Sequence, residues 1–187
     1  MIKPFDDVKN YQSYWIDLED YLDLLDPHIG EKTAMQLGRT DIRVKEYWKQ
    51  LDVTLFQNEG TVDIPDISLW DPGMILMNNR AYKFLSDFFE PYGEFLPCNV
   101  LGREGYLFHC LNIREFKNDE VTYRIHEDIY IEVESLSFPP DMKDHVIIGI
   151  NKMHAKLYFS DEVAKVIEKE NLKGLLLIRD LGVCFPY

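Results

Sequence analysis

A chain of 187 residues with 46% hydrophobic and 13% aromatic side chains carries enough apolar material for one sizeable core. Thirty-three acidic against 20 basic side chains give a net charge of −13. That balance argues against direct binding to nucleic acid or an anionic membrane, whose phosphates call for lysine and arginine, and it suits solubility or a basic partner. Cys98, Cys110 and Cys184 are odd in number and far apart, so a disulfide scaffold is excluded and a reducing compartment is expected. No apolar signal core opens the chain and no run reaches the ~20 apolar residues of a membrane span, so the expected location is the cytoplasm.

Residues 1–10 read as a loose start. Tyr11 to Asp26 supports two readings. Tyr14, Trp15, Leu18, Tyr21, Leu22 and Leu25 form a helical stripe, yet Tyr14 to Leu18 also suits an aromatic first strand; the stripe favours helix. Pro27 and Gly30 punctuate its end. Thr33 to Leu37 reads as one helical turn, and Val44 to Leu51 as an amphipathic segment containing Trp48. Alternation predicts a strand over Asp52 to Gln57. Asn58 to Gly73, with its prolines and glycines, reads as a structured loop.

Met74 to Leu96 is the most legible stretch. Met74 to Met77 is an apolar run of strand length, and Asn78 is a helix N-cap. Ala81, Tyr82, Leu85, Phe88 and Phe89 make one helical face. Glu90-Pro91-Tyr92-Gly93 stops the helix, with glycine expected for its tolerance of positive φ. A second copy closes the chain: Leu157 to Phe159 is the run and Ser160 the cap. Val163, Val166 and Ile167 form its face, Gly174 the stop, and Leu175 to Ile178 the return strand. Between the copies, Phe95 to Leu101 and Tyr106 to Ile113 flank Gly102-Arg103-Glu104-Gly105, a hairpin around a four-residue turn. Val121 to Ile125, Ile129 to Val133 and Val146 to Ile150 are further strands, and Gly182 to Tyr187 reads as a docking tail. Many short strands with few helices predict a single α+β domain over residues 1–187, with a largely antiparallel sheet, a few packed helices and two strand-cap-helix-strand units.

Chemistry is sparse. His109 and Cys110 are neighbours on a strand, so their side chains face opposite ways and form no dyad. Cys110 falls with Phe108 and Tyr106, and His109 with Leu107. His28, His109, His126, His145 and His154 lack metal-ligand spacing, no C-x-x-C is present, and neither metal nor cofactor is expected. Asp63 and Asp66 read as loop aspartates that bond to backbone amides. The Gly102–Gly105 stretch is followed by no G-K-[ST], so it is a turn and not a phosphate cradle. The better signal is an acidic, aromatic-bearing strand face made of Asp128, Tyr130, Glu132 and Glu134, opposite Ile129, Ile131 and Val133. It suits a basic partner with Tyr130 as an anchor, and equally a solvated face that resists edge pairing. Asp17, Glu19, Asp20, Asp23 and Asp26 form a second acidic cluster with the same two readings. Asp17 and Asp20 stand with the strand residues as candidate partner contacts.

Several segments together resemble a bacterial polymorphic-toxin immunity family. They are Trp48, Pro65-Asp66-Ile67, the strand-helix unit ending Tyr92-Gly93-Glu94-Phe95-Leu96-Pro97, and the Tyr106-to-Ile113 strand. With them go the closing Leu157-Tyr158-Phe159-Ser160-Asp161-Glu162 and Leu172-Lys173-Gly174-Leu175. The likeness runs from about Trp48 to Leu177. It divides the domain into a divergent part, residues 1–45, and a family-like core, residues 46–187. The resemblance implies a cytoplasmic protein that binds and neutralises a cognate secreted toxin and has no catalytic residues of its own. Two rival readings remain: a small enzyme whose acid/base site uses His126 or His154, and a non-catalytic oligomeric scaffold.

Overall fold

The chain begins with a strand, not a loose end. In the computed structural model, β1 (Lys3–Asp6) pairs antiparallel with Leu175–Ile178, and Ile2 is fully buried. The structure describes residues 1–56, 60, 63–117, 119–126, 129–139, 142, 146–150 and 155–179, with backbone alone at 126, 129–132, 147 and 148. The expected docking tail lies outside the described residues.

Both readings of Tyr11 to Asp26 hold in part. Ser13–Ile16 is β2, and α1 (Leu18–Ile29) follows after a single residue. Asp17 separates them because its carboxylate caps the helix, accepting the amides of Glu19 at 2.9 Å and Asp20 at 3.4 Å. Pro27 sits inside the last turn, and Gly30 at φ 80° ends the helix. A short α2 (Glu31–Ala34) and a 3₁₀ turn at Leu37–Arg39 come next. Val44 to Leu51 is no helix. It is a turn and an extended run, pinned where Val44 N–H donates to Glu94 and Trp48 Nε1 donates to Pro97 O at 2.9 Å.

The main sheet follows. It contains β3 (Leu51–Phe56), β4 (Ile67–Asp71) and β5 (Met74–Asn78). After α3 (Asn79–Phe89) come β6 (Gly93–Val100) and β7 (Arg103–Cys110), and the strand order is β2-β3-β6-β7-β5-β4. Strand β4 falls within the segment expected to be a loop. The six strands roll until the edge strands meet, and Tyr14 N–H of β2 donates to Ser68 Oγ of β4 at 3.2 Å. Inside the roll lie Tyr14, Ile16, Val53, Met74, Leu76, Leu96, Cys98, Val100 and Leu107, with Tyr21 and Leu25 of α1, Ala34, Leu37 and Val44 filling one end. On the outer face, Ile67, Ile75, Met77, Phe108 and Cys110 pack with Ala81, Leu85 and Phe89 of α3.

The remaining strands are β8 (Ile113–Glu115), β9 (Val121–His126), β10 (Ile129–Leu136), β11 (Ile147–Ile150) and β12 (Ala155–Tyr158). They lead to α4 (Asp161–Lys169) and β13 (Leu175–Ile178). Strand pairing is mostly antiparallel, and the fold is one α+β domain.

Both strand-cap-helix-strand units form. Asn78 Oδ1 accepts Ala81 N–H at 2.9 Å, and Ser160 Oγ accepts Val163 N–H at 3.2 Å. Each such cap contributes about 1 kcal/mol. The return strand does not pair with the strand it left. β5 and β6 both run antiparallel to β7, which lies between them. In the second unit β1 takes that place, bridged to Phe159 through Ile2 and paired with β13. Asp66 clamps the two units together. Its carboxylate accepts from Asn78 Nδ2 at 2.9 Å, Arg80 Nη1 at 2.6 Å and Lys173 N–H at 3.0 Å.

Two glycines serve close approach, not unusual φ. Gly93, expected at positive φ, is extended at φ −171°. A Cβ there would meet His109 O at 2.2 Å and the Phe108 ring at 2.5 Å. The hairpin turn is two residues, Leu101 at φ 53° and Gly102 at φ 78°, shorter than the expected four. Gly105 lies inside β7, where a Cβ would meet Val100 Cγ2 at 2.4 Å.

Candidate partner-binding surface

The most polar buried pair of the described residues is Glu94 with His109, directly opposed on β6 and β7. Glu94 Oε1 accepts Val44 N–H at 2.8 Å and lies 3.4 Å from His109 Nδ1. His109 Nε2 lies 3.1 Å from Leu37 O and 3.2 Å from Thr40 O. Both ring nitrogens therefore face acceptors. Burial pushes the Glu94 carboxyl up, but the hydrogen bonds from His109 and Val44 outweigh it and hold the carboxyl below its ordinary value. The pair is buried, and its bonds tie the segment from Leu37 to Val44 onto the sheet. Cys110 points the other way, into the core with Phe108, as strand alternation requires.

The other chemistry-bearing candidates disperse. The His28 ring stacks on Tyr47 with centroids 4.3 Å apart. His145 and His154 lie outside the described residues, as does the side chain of His126. Asp66 serves as the clamp described above, bonding a backbone amide as expected and two side chains besides. Asp63 meets the chain through its backbone, which accepts Gln12 N–H at 3.0 Å. Among the described residues no group of three or more His, Cys, Asp or Glu side chains is placed to hold a metal ion. No described helix is long and apolar enough to cross a membrane.

The acidic strand does not keep one straight outer face. Asp128 lies outside the described residues, as do the side chains of Tyr130 and Glu132. Pairing of β10 with β9 shifts register between Tyr130 and Glu132 and again between Val133 and Ser135. Each shift adds an unopposed residue, which breaks the period of two that the alternation relied on. Glu134 is exposed and Val133 buried, so the expected sidedness survives at that pair.

The second acidic cluster is better placed. Asp17 serves as the cap of α1, and Glu19, Asp20, Asp23 and Asp26 are exposed along the same helix. Leu18, Leu22, Glu19, Asp23, Asp26 and Glu31 line one shallow depression. Leu18 is shared with a second depression, where it meets Trp15, Tyr21, Met35 and Trp70. Trp15 is 44% exposed, Leu18 45% and Met35 56%, large apolar side chains left in water beside a row of carboxylates. The Trp15 ring also lies 5.9 Å from that of exposed Phe56. Lys32 and Arg39 line a third depression with Met35, Gln36 and Glu31, the last shared with the acidic one. Alternation could have found Trp15 had β2 been taken as a strand, since Tyr14 and Ile16 point inward.

At the opposite end of the rolled sheet the concave face stays open. A cleft of about 650 Å³ is lined there by Tyr14, Asn78, Val100, Leu101 and Arg103 of the sheet and by Lys83 and Phe84 of α3. No protein-family model matches the chain, and no curated protein does either.

Proposed function

We propose that this protein works by binding a basic protein partner, and that the partner is a cognate bacterial toxin which it neutralises by covering the active site or its surroundings. The observation that carries this reading is the exposed apolar group Trp15, Leu18 and Met35, set against the carboxylates of α1. A desolvated aromatic and aliphatic centre with a charged rim is the arrangement in which a few residues supply most of the binding energy. The rim carboxylates add long-range attraction to a cationic partner, which speeds encounter. The surface rests on a rigid base, because Tyr21 and Leu25 of the same helix are fixed in the core. The resemblance of residues 48–177 to an immunity family supports a toxin as the partner, and the acidic face supports a basic one. An interface of standard size, about 800 Å² per partner, extends beyond α1 onto β2 and α2.

Co-expression with the product of the adjacent open reading frame tests the proposal. Rescue of growth together with a co-purified one-to-one complex is the expected result. Toxicity without rescue, with no complex formed, contradicts it.

A further inference from the structure

We infer that the open mouth of the rolled sheet is a binding site for a small organic anion, whose negative group meets Lys83 and Arg103 and whose apolar body lies against Val100, Leu101 and Phe84. This site is separate from the acidic face of α1 and independent of any protein partner.

Position in the fold is the first argument. The inner face of the roll is filled at one end by α1, α2 and Val44, while the other end holds a cleft of about 650 Å³. Mouths of rolled and barrel sheets are common ligand sites, and this volume lies within the usual range of about 300–1,000 Å³.

The inventory of polar groups is the second. Most of those around the cleft are already engaged. Asn78 caps α3 and donates to Asp66, Arg80 is paired with Asp66, Glu104 accepts from Tyr106, and Tyr14 donates to Pro65 O. Lys83 and Arg103 are exposed, and neither side chain has a hydrogen bond or ion pair among the described residues. Two uncommitted cations converge on one cleft in a chain whose net charge is −13. Arg103 shares the inward-facing register of β7 with Gly105 and Leu107, so it stands at the lip of the roll.

An apolar rim adjoins the two cations. Phe84 is 39% exposed and Leu101 41%. Leu101 occupies the left-handed region at φ 53°, where Asn or Gly is the ordinary choice. Its side chain adds an apolar wall to the cleft. Cationic heads beside apolar walls select a molecule with an anionic group, phosphate or carboxylate, on an apolar body.

Amide-resolved NMR titration of the full chain tests this with four probes: phenyl phosphate, decanoate, inorganic phosphate and neutral benzyl alcohol. Saturable shifts at Lys83, Phe84 and Val100 to Arg103 are expected with phenyl phosphate, decanoate or both. Which of the two binds more tightly identifies the head group. Inorganic phosphate should bind at least tenfold more weakly, and benzyl alcohol should not saturate. The doubly charge-reversed Lys83→Glu, Arg103→Glu variant should raise Kd at least tenfold for the better probe. Lys32→Glu, a charge reversal beside α2, should leave it unchanged. The thermal melt of each variant should match that of the parent, since both positions are exposed. The inference is overturned if neither anion saturates at millimolar concentration, if the charge-reversed variant binds as well as the parent, or if the neutral probe binds equally.

Discussion

His109→Ala is expected to be among the most destabilising single substitutions in the chain, and the structure gives its magnitude. Removing the ring leaves the buried Glu94 carboxylate with the Val44 amide but without its imidazole partner. It also deprives Leu37 O and Thr40 O of the Nε2 donor. Breaking a buried pair in this way costs about 3–5 kcal/mol. For a domain of this size each kcal/mol moves Tm by about 2–4 °C, so a fall of roughly 6–20 °C is expected. The acid limb should change as well. A carboxyl held below its ordinary value stabilises the fold above the unfolded pKa, and that stability is lost as pH falls through the lower folded value. Without His109 the folded value rises toward the unfolded one, so this part of the acid-limb loss should shrink. Urea unfolding across the acid range measures both effects. The double variant Glu94→Leu, His109→Leu removes both partners together and should cost less than the sum of the single changes. Additive losses, or a His109→Ala protein within about 1 kcal/mol of the parent, would refute the idea that this pair holds Leu37 to Val44 on the sheet.

Three further outcomes follow from the same geometry. Burial pushes the Asp6 carboxyl up from 3.8 to about 6, although it accepts Leu69 N–H at 2.7 Å. The native state therefore holds a proton that the unfolded chain releases, and stability falls as pH rises between those values by up to about 3 kcal/mol. Asp6→Asn keeps an acceptor for Leu69 and should flatten that slope, so that it is more stable than the parent at about pH 8 and no more stable at about pH 4 in urea unfolding. Gly93→Ala forces a Cβ against His109 O and Phe108 and should lower stability by at least about 1–3 kcal/mol, read by thermal melting. Cys98 and Cys110 are both buried, and burial pushes the Cys98 thiol up to about 12. Neither should react with a thiol reagent until denaturant unfolds the chain, which mass spectrometry of labelled peptides reads directly.

Local signals made the two helix units legible. Asn78 and Ser160 each precede an apolar period of 3.6 and have no competing use, so cap and helix could be read in one step. What stayed hidden depends on distant partners. Lys3–Asp6 is polar and contains a proline, and it becomes a strand because β13 and Phe159 supply its hydrogen bonds. Ile67–Asp71 does alternate, but its flanking Pro65 and Gly73 suggested a loop. The site question turned on one turn. A four-residue turn would pair Leu101 with Tyr106 and set Glu94 opposite Ile113. The two-residue turn at Leu101-Gly102 sets Glu94 opposite His109, which is the pair that sequence reasoning missed. On the exterior, Asp17 caps α1 and Asp20 lies in its first turn. The apolar half of that surface was lost because Trp15 was read into a helical stripe instead of onto an exposed strand face.

Affinity for the purified product of the adjacent open reading frame, measured by calorimetry with the parent and with Trp15→Ala and Leu18→Asp, tests the binding surface most directly. Truncating a central contact costs about 2 kcal/mol or more, so each variant should weaken Kd by about 30-fold or more without lowering Tm. Changing Asp20, Asp23 and Asp26 together to Asn should slow association and flatten its dependence on salt. Full-affinity binding by all three variants, or an absence of binding by the parent, would contradict a function built on the α1 face.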